Sequence, residues 1–261
     1  MATNETPLLE LRDISKSFGS VQALIDVDFE VRPGEVMALV GDNGAGKSTL
    51  IKCIAGTHLA DSGEILFEGR SVHIHGPRDA AQLGIEVVYQ DLALADNLDV
   101  VQNMFLGREI NVWQILNEAA MEERTSTTLS SLAVTTIKSI RQTVATLSGG
   151  QRQSVAVARA VMWDSKVVIL DEPTAALGVA QTEQVLALVR RLGEQGLGVV
   201  IISHNLHDVF ETADRITVLR LGRNVGIYDR RTTTQQTIVE AITAGRPTKV
   251  SGIPATAEAQ V

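Results

Sequence analysis

The feature that most constrains this chain is an eight-residue run, Gly41-Asp42-Asn43-Gly44-Ala45-Gly46-Lys47-Ser48, which fits G-x-x-x-x-G-K-S at every fixed position. It follows a compact apolar stretch, Glu35 to Val40, and precedes a helical pattern from Ser48 to Ala55. Strand, glycine loop, helix is the order a phosphate-binding loop requires. The glycines let successive backbone N–H groups turn inward around phosphate oxygens, and the helix N-terminus adds a favourable dipole. Lys47 is expected to reach the β- and γ-phosphates and Ser48 to ligate magnesium, with Thr49 next in the same nucleotide-binding set. A chance glycine-rich turn does not explain a complete match in this context.

A second motif supplies acids. Val167-Val168-Ile169-Leu170 reads as a buried strand and ends in Asp171-Glu172. Successive side chains at a strand end point in different directions, so two adjacent carboxylates can serve two tasks. Asp171 suits the magnesium shell, through water, and Glu172 suits polarising an attacking water. Alone, the pair could be an ordinary acidic strand end. Beside a complete phosphate loop, the catalytic reading is preferred.

Strand and helix patterns alternate over much of the chain. Residues 8–36 read as short strands, with Pro33-Gly34 as a turn. Gly63 to Phe67 and Ser71 to Ile74 return to strand character, Arg78 to Leu83 is helical, and Ile85 to Tyr89 is a strand. Residues 99–145 read as mostly helical. Helix over Gln151 to Met162, strand over Lys166 to Leu170, helix over Gln181 to Leu192, strand over Gly198 to Ile202 and helix over Asn205 to Thr212 follow. Ile216 to Leu221 and Val225 to Asp229 form a late hairpin, and Thr234 to Ala244 a last helix. This order predicts an α/β fold with a mainly parallel sheet covered on both faces.

Composition narrows the setting. At 261 residues the chain can bury a real core. A net charge of -8 argues against nucleic acid as a partner. Cys53 is the single cysteine, so no internal disulfide forms; it reads as a small buried residue without chemistry. The polar start carries no export signal, and no segment approaches the roughly 20 apolar residues of a membrane span. A cytosolic setting is expected, with membrane association only through a partner.

Leu147-Ser148-Gly149-Gly150-Gln151 adds a third motif, in the correct order after the phosphate loop and before Asp171-Glu172-Pro173. The chain resembles ATP-binding-cassette (ABC) transporter ATPases over roughly residues 8–245. The resemblance implies a P-loop NTPase core with an N-terminal antiparallel β-subdomain and a helical signature-motif subdomain. It implies one ATPase domain over residues 1–245, with 91–160 approximately the helical part and 246–261 a flexible tail. Two such domains pack head to tail in that family. Ser148, Gly149, Gly150 and Gln151 would then serve the nucleotide held by the phosphate loop of a second copy.

The same resemblance assigns further residues. Gln90, after Ile85 to Tyr89, is similar to the family's glutamine that touches magnesium or the attacking water; the alternative is a surface glutamine. His204, after Ile201-Ile202-Ser203, is similar to the switch histidine at the γ-phosphate; the alternative is a hydrogen-bonded histidine at a helix start. Phe18 resembles the aromatic that stacks on adenine; a core phenylalanine is the alternative. His58, His73, His75 and His207 match no such position and read as structural or surface residues without metal-site spacing.

One position departs from the pattern. The family loop commonly reads Ser-Ala-Leu-Asp where this chain has Ala175-Ala176-Leu177-Gly178. Gly178 offers no carboxylate, which bears on coupling between sites and keeps a binding-only role in view. Retention of Lys47, Asp171, Glu172 and His204 favours an active ATPase.

Softer wording, Val88 to Leu94 through Asn97-Leu98 and then Asn103 to Glu109, resembles ATPases of bacterial monosaccharide importers of the ribose, xylose and fructose type. Expected partners are then a second copy of the chain, membrane permease subunits docking near residues 91–110 and, indirectly, an extracytoplasmic solute-binding protein. Apolar residues in 91–110 can equally serve the helical core. The expected place is the cytoplasmic face of the bacterial cell membrane. The alternatives are import of another solute, such as amino acids, and a non-transport ABC ATPase.

Overall fold

The computed structural model describes residues 6–113 and 115–245. In chain order, β1 (Leu9–Phe18) and β2 (Val21–Val31) form an antiparallel pair; β3 (Val36–Val40) leads into α1 (Lys47–Ile54). Then come β4 (Ser62–Phe67), β5 (Arg70–Val72), α2 (Pro77–Gln82), β6 (Ile85–Val88) and α3 (Val100–Phe105). A small hairpin of β7 (Asn111–Val112) and β8 (Ile115–Leu116) precedes α4 (Glu118–Ser131) and α5 (Gly149–Val161). The last part is β9 (Val167–Asp171), α6 (Val179–Glu194), β10 (Gly198–Ile202), α7 (Leu206–Thr212), β11 (Arg215–Arg220), β12 (Arg223–Asp229) and α8 (Gln235–Ala244).

Two sheets organise the protein. The central one runs β12-β11-β3-β10-β9-β6, parallel except for the antiparallel edge strand β12. The second, β2-β1-β4-β5, is antiparallel. This is the α/β P-loop architecture with an N-terminal β-subdomain that the sequence predicts.

The apolar strands of the central sheet are continuous because both faces are covered. Strand alternation sends Val36, Ala38, Val40, Val168, Leu170, Val199 and Ile201 into one core, with α3 to α8. Met37, Leu39, Val167, Ile169, Val200 and Ile202 enter the other, against α1, α2 and the antiparallel sheet. All of these strand residues are buried. Each such Val, Leu or Ile contributes about 1.5–3 kcal/mol relative to exposure. Cys53 lies in the second core, where burial pushes its thiol pKa up to about 11, so it carries no thiolate chemistry.

The structure departs from expectation over residues 99–145. α-Helix is confined to α3 and α4, with the β7–β8 hairpin between them and, after Leu132, irregular chain that ends in a single 3-10 turn at Val144–Thr146. Two local causes are visible. Asn117 caps α4, accepting from the Ala120 N–H at 3.1 Å, so the helix starts there rather than continuing from α3. After α4, Ala133 adopts φ 50, and the β-branched run Val134-Thr135-Thr136-Ile137 disfavours a new helix. The expected tail, 246–261, lies outside the described residues.

Candidate functional site

Strand order builds the site. Val40, Ile202 and Asp171 end the neighbouring strands β3, β10 and β9, and Val88 ends β6 beside Leu170. Gly41, Ser203-His204, Glu172 and Tyr89-Gln90 therefore leave the sheet along one edge, the carboxyl end of its parallel strands. Ligands of open parallel sheets bind at that edge.

The phosphate loop takes its shape from glycine. Gly41, Gly44 and Gly46 adopt φ of 155, 82 and 106. A Cβ on Gly41 would meet the Leu219 carbonyl oxygen at 2.2 Å, and one on Gly46 would meet the Ala23 carbonyl oxygen at 2.8 Å. The loop is thus wedged between β2 and the end of β11. A Cβ on Gly44 would meet nothing within 4 Å, so a ligand can approach the backbone there. Asp42 and Asn43 are exposed, while Ala45 is buried and its N–H donates to the Asp42 carbonyl at 3.0 Å.

Helix α1 begins without a side-chain cap and without an acid in its first turn. Its first ladder bond is Leu50 N–H to Gly46 C=O at 2.9 Å. The N–H groups of Lys47, Ser48 and Thr49 precede that bond and point out of the helix start, as an anion site requires. Lys47 Nζ donates to the carbonyls of Gly41 at 2.6 Å and Asp42 at 3.0 Å, holding the ammonium over the loop. Burial lowers its pKa, while Glu172, Asp42 and Asp171 oppose the shift.

Asp171 is half-buried, and burial followed by the charge of Glu172 raises its pKa. A carboxylate in that environment gains from a cation. The Glu172 N–H extends the strand ladder to the Ile202 carbonyl at 2.9 Å, and the residue then turns at φ 50. Its Oε2 stands 2.8 Å from His204 Nδ1. The next loop is tied to α7: Thr174 Oγ1 donates to Asp208 Oδ2 at 2.6 Å, and Asn205 Nδ2 donates to Asp208 Oδ1 at 2.9 Å. Asp208 is buried. Sequence reading missed it, although a lone acid early in an amphipathic helix was a usable signal.

The remaining residues separate into groups. Gln90 is exposed in the bend after β6. Phe18 ends β1 with 44% exposure, so it is not a core residue; it meets the His58 ring edge-to-face, centroids 5.1 Å apart. Ser148 caps α5 in a capping box with Gln151: Ser148 Oγ accepts from the Gln151 N–H at 3.3 Å, and Gln151 Oε1 accepts from the Ser148 N–H at 2.8 Å. Gly149 and Gly150 pack against the start of α6; their Cβ atoms would meet Leu177 Cδ2 at 2.8 Å and Gln181 Cβ at 3.0 Å. Among the described residues, no hydrogen bond or ion pair joins Ser148–Gln151 to the phosphate loop. Gly178 precedes α6 as an N-cap without a side-chain bond.

The sequence profile of the ABC transporter family matches residues 24–175, more than half of the chain. The chain belongs to the ABC transporter family. This ABC chain is 47% identical over 249 residues to the fructose import ATP-binding protein FrcA of Rhizobium meliloti, covering 93% of this chain and 96% of that protein. It is 49% identical over 237 residues to the xylose/arabinose import ATP-binding protein XylG of Sulfolobus acidocaldarius, covering 91% and 94%. Its fold matches the ADP conformation of MJ1267, an ATP-binding cassette of an ABC transporter, with a TM-score of 0.78 at 27% identity, covering 91% and 95%. An ABC ATPase domain implies ATP binding, and nucleotide hydrolysis is the activity typical of the family.

Proposed function

We propose that this chain is the ATP-hydrolysing subunit that energises import of a monosaccharide through a membrane permease. The observation that carries the hydrolytic part is the gathering of Lys47, Asp171 and the Glu172–His204 pair at one sheet edge. Likeness to proteins described as fructose and xylose/arabinose import ATP-binding proteins supports the sugar.

Backbone N–H groups of the loop Gly41 to Ser48 and of Thr49 hold the phosphates of ATP, and the Lys47 ammonium offsets charge on the β- and γ-groups. The Phe18 ring stacks on adenine. Ser48, Asp171 and Gln90 would hold Mg2+, which when bound would neutralise phosphate charge. Glu172 polarises the attacking water, and His204 orients Glu172 and contacts the γ-phosphate. Water oxygen bonds to the γ-phosphorus as the bond to the β–γ bridging oxygen breaks, leaving ADP and phosphate.

Each site takes Ser148, Gly149, Gly150 and Gln151 from a second copy. In support, no hydrogen bond or ion pair among the described residues joins them to the phosphate loop of the same chain, and Ser148 caps a helix start that can receive an anion. Closure of two chains on two ATP molecules excludes water and drives attached permease subunits between states of different affinity. Residues 1–245 act as one domain, with 91–160 as the helical arm.

No helix among the described residues is long and apolar enough to cross a membrane. Contact with the membrane then runs through the permease, at the cytoplasmic face. A cleft of about 180 Å³ between β6, α5 and the 104–108 stretch, lined by Glu86, Met104, Arg108, Arg159 and Trp163 among others, suits a permease segment. A solute-binding protein outside the cell presents the sugar.

The deciding experiment isolates membranes with tagged Glu172→Gln protein in ATP and Mg2+ and identifies its partners by mass spectrometry. Recovery of a permease and a sugar-binding protein supports the reading. Recovery of ribosomes or soluble complexes alone overturns transport and leaves the ATPase core.

A further inference from the structure

Arg159 is a charged residue in an otherwise apolar run of α5, Val155-Ala156-Val157-Ala158-Arg159-Ala160. The nucleotide chemistry described above makes no use of it. Its guanidinium leaves the helix toward the segment just after Gln90. Nη2 donates to the Leu92 carbonyl at 2.8 Å and Nη1 to the Ala93 carbonyl at 2.9 Å. Desolvation lowers its pKa, opposed by Glu86 and reinforced by Arg108. Arg159 is partly buried, and a partly buried cation is favoured where its donors are used.

The segment it holds is strained. Ala93 adopts φ 47, a left-handed conformation that costs a non-glycine residue roughly 1–2 kcal/mol. Asp91 Oδ1 accepts from the Ala93 N–H at 3.2 Å, but the two consecutive carbonyls depend on Arg159. Strain of this kind persists where surrounding contacts over-determine it. A planar guanidinium fork bridges two carbonyls, which a point-charge ammonium does less well. The same helix grips this segment again about two turns upstream, where Arg152 Nη1 pairs with Asp96 at 2.9 Å.

We infer that Arg159 is a positioning residue for Gln90, fastening the bend after Gln90 to the helix that Ser148 caps, so that Gln90 and the signature motif move as one body. Gln90 serves the nucleotide of its own phosphate loop, whereas Ser148 to Gln151 serve the nucleotide of the second copy. The Arg159 link therefore joins the two sites of a dimer, and it lines the cleft assigned above to the permease. The inference rests on the role proposed for Gln90.

The test measures ATP turnover of the full chain against ATP and Mg2+ concentration for Gln90→Ala, Arg159→Met and the double variant. Arg159→Met is expected to lower kcat on the order of ten- to a hundredfold, the scale of a misplaced group. It should raise the Mg2+ needed for half-maximal turnover, in the same direction as Gln90→Ala. In the Gln90→Ala background it should add less than about twofold, because it acts through the residue already removed. Multiplying effects, or a loss of kcat with the Mg2+ requirement unmoved, would overturn the inference and leave Arg159 a packing residue. A Gln90→Ala variant with unchanged kcat and Mg2+ requirement overturns the role of Gln90 and the inference with it. If Arg159→Met does not fold, as read by circular dichroism, Arg159→Lys keeps the charge and carries the same cycle, with a smaller loss of kcat and the same non-additivity.

Discussion

His204 Nδ1 lies 2.8 Å from Glu172 Oε2, and the two residues meet because β9 and β10 are adjacent parallel strands with Ile202 opposite Asp171. Their environments differ: the Glu172 side chain is 17% exposed and the His204 side chain 75%. The carboxylate is held in the site while the imidazole can reach outward, toward whatever occupies the loop. Replacing His204 with Ala should lower ATP turnover roughly 100-fold or more, with ATP affinity nearly unchanged. Turnover and fluorescent-nucleotide binding measured together check this; wild-type turnover would remove His204 from the chemistry.

Glu172→Gln keeps a hydrogen-bond acceptor for His204 but cannot polarise water as a carboxylate does. The variant should bind ATP, lose turnover and accumulate as an ATP-dependent dimer, read by size-exclusion chromatography with light scattering. A monomer with full turnover would refute both the role and the arrangement.

Gly46→Ala tests the loop. The added Cβ meets the Ala23 carbonyl oxygen at 2.8 Å and Leu24 Cδ2 at 2.9 Å, at a φ of 106 that Ala rarely adopts. Local strain of about 1–3 kcal/mol is expected, with loss of ATP binding greater than loss of Tm. Calorimetric titration with ATP and a thermal melt separate the two effects.

Gly178→Asp tests the departure from the family pattern. A Cβ there meets nothing within 4 Å, and the backbone, φ -75 and ψ 163, already suits an N-cap. The carboxylate should cap α6 and raise stability by a few tenths of a kcal/mol. Urea unfolding measures this. A change in cooperativity of turnover with ATP concentration, with the same fold and affinity, would place this residue in communication between sites.

Glu35 predicts a pH effect far from the nucleotide. Burial raises its pKa, while Arg215 and the Arg32 N–H only partly oppose this. In the unfolded chain it titrates near 4.5. Between that value and its raised native pKa the native state binds more protons than the unfolded state, so stability falls as pH rises through this window. Glu35→Gln should remove that contribution. The difference between wild-type and variant unfolding free energies across mildly acid pH isolates it from other carboxylates; a flat difference would contradict the prediction.

Much of the candidate site was readable because its motifs are contiguous. A glycine loop sets its own φ values and exposes its own N–H groups, so Gly41 to Ser48 needs no distant contact to be recognised. Asp171-Glu172 could be read for the same reason, whereas the Ser148–Gln151 capping box, which starts α5 at Gly149 rather than at Gln151, appeared only in the structure. Residues 99–145 were not readable as cleanly. Composition there is tolerant of helix, and the choice between helix, hairpin and irregular chain fell to single residues such as Asn117 and Ala133.

By itself, then, the sequence determined the local pattern: a glycine-rich loop between strand and helix, an acidic strand end and two-sided burial of the central strands. Their covalent neighbours impose these features. Only the tertiary structure decided which distant groups share a site. The strand order β3-β10-β9-β6 brings Gly41, His204, Glu172 and Gln90 to one edge, and packing carries Arg159 to carbonyls 66 and 67 residues away. Such pairings depend on how whole faces are buried against each other, and no short stretch of chain encodes that by its own spacing.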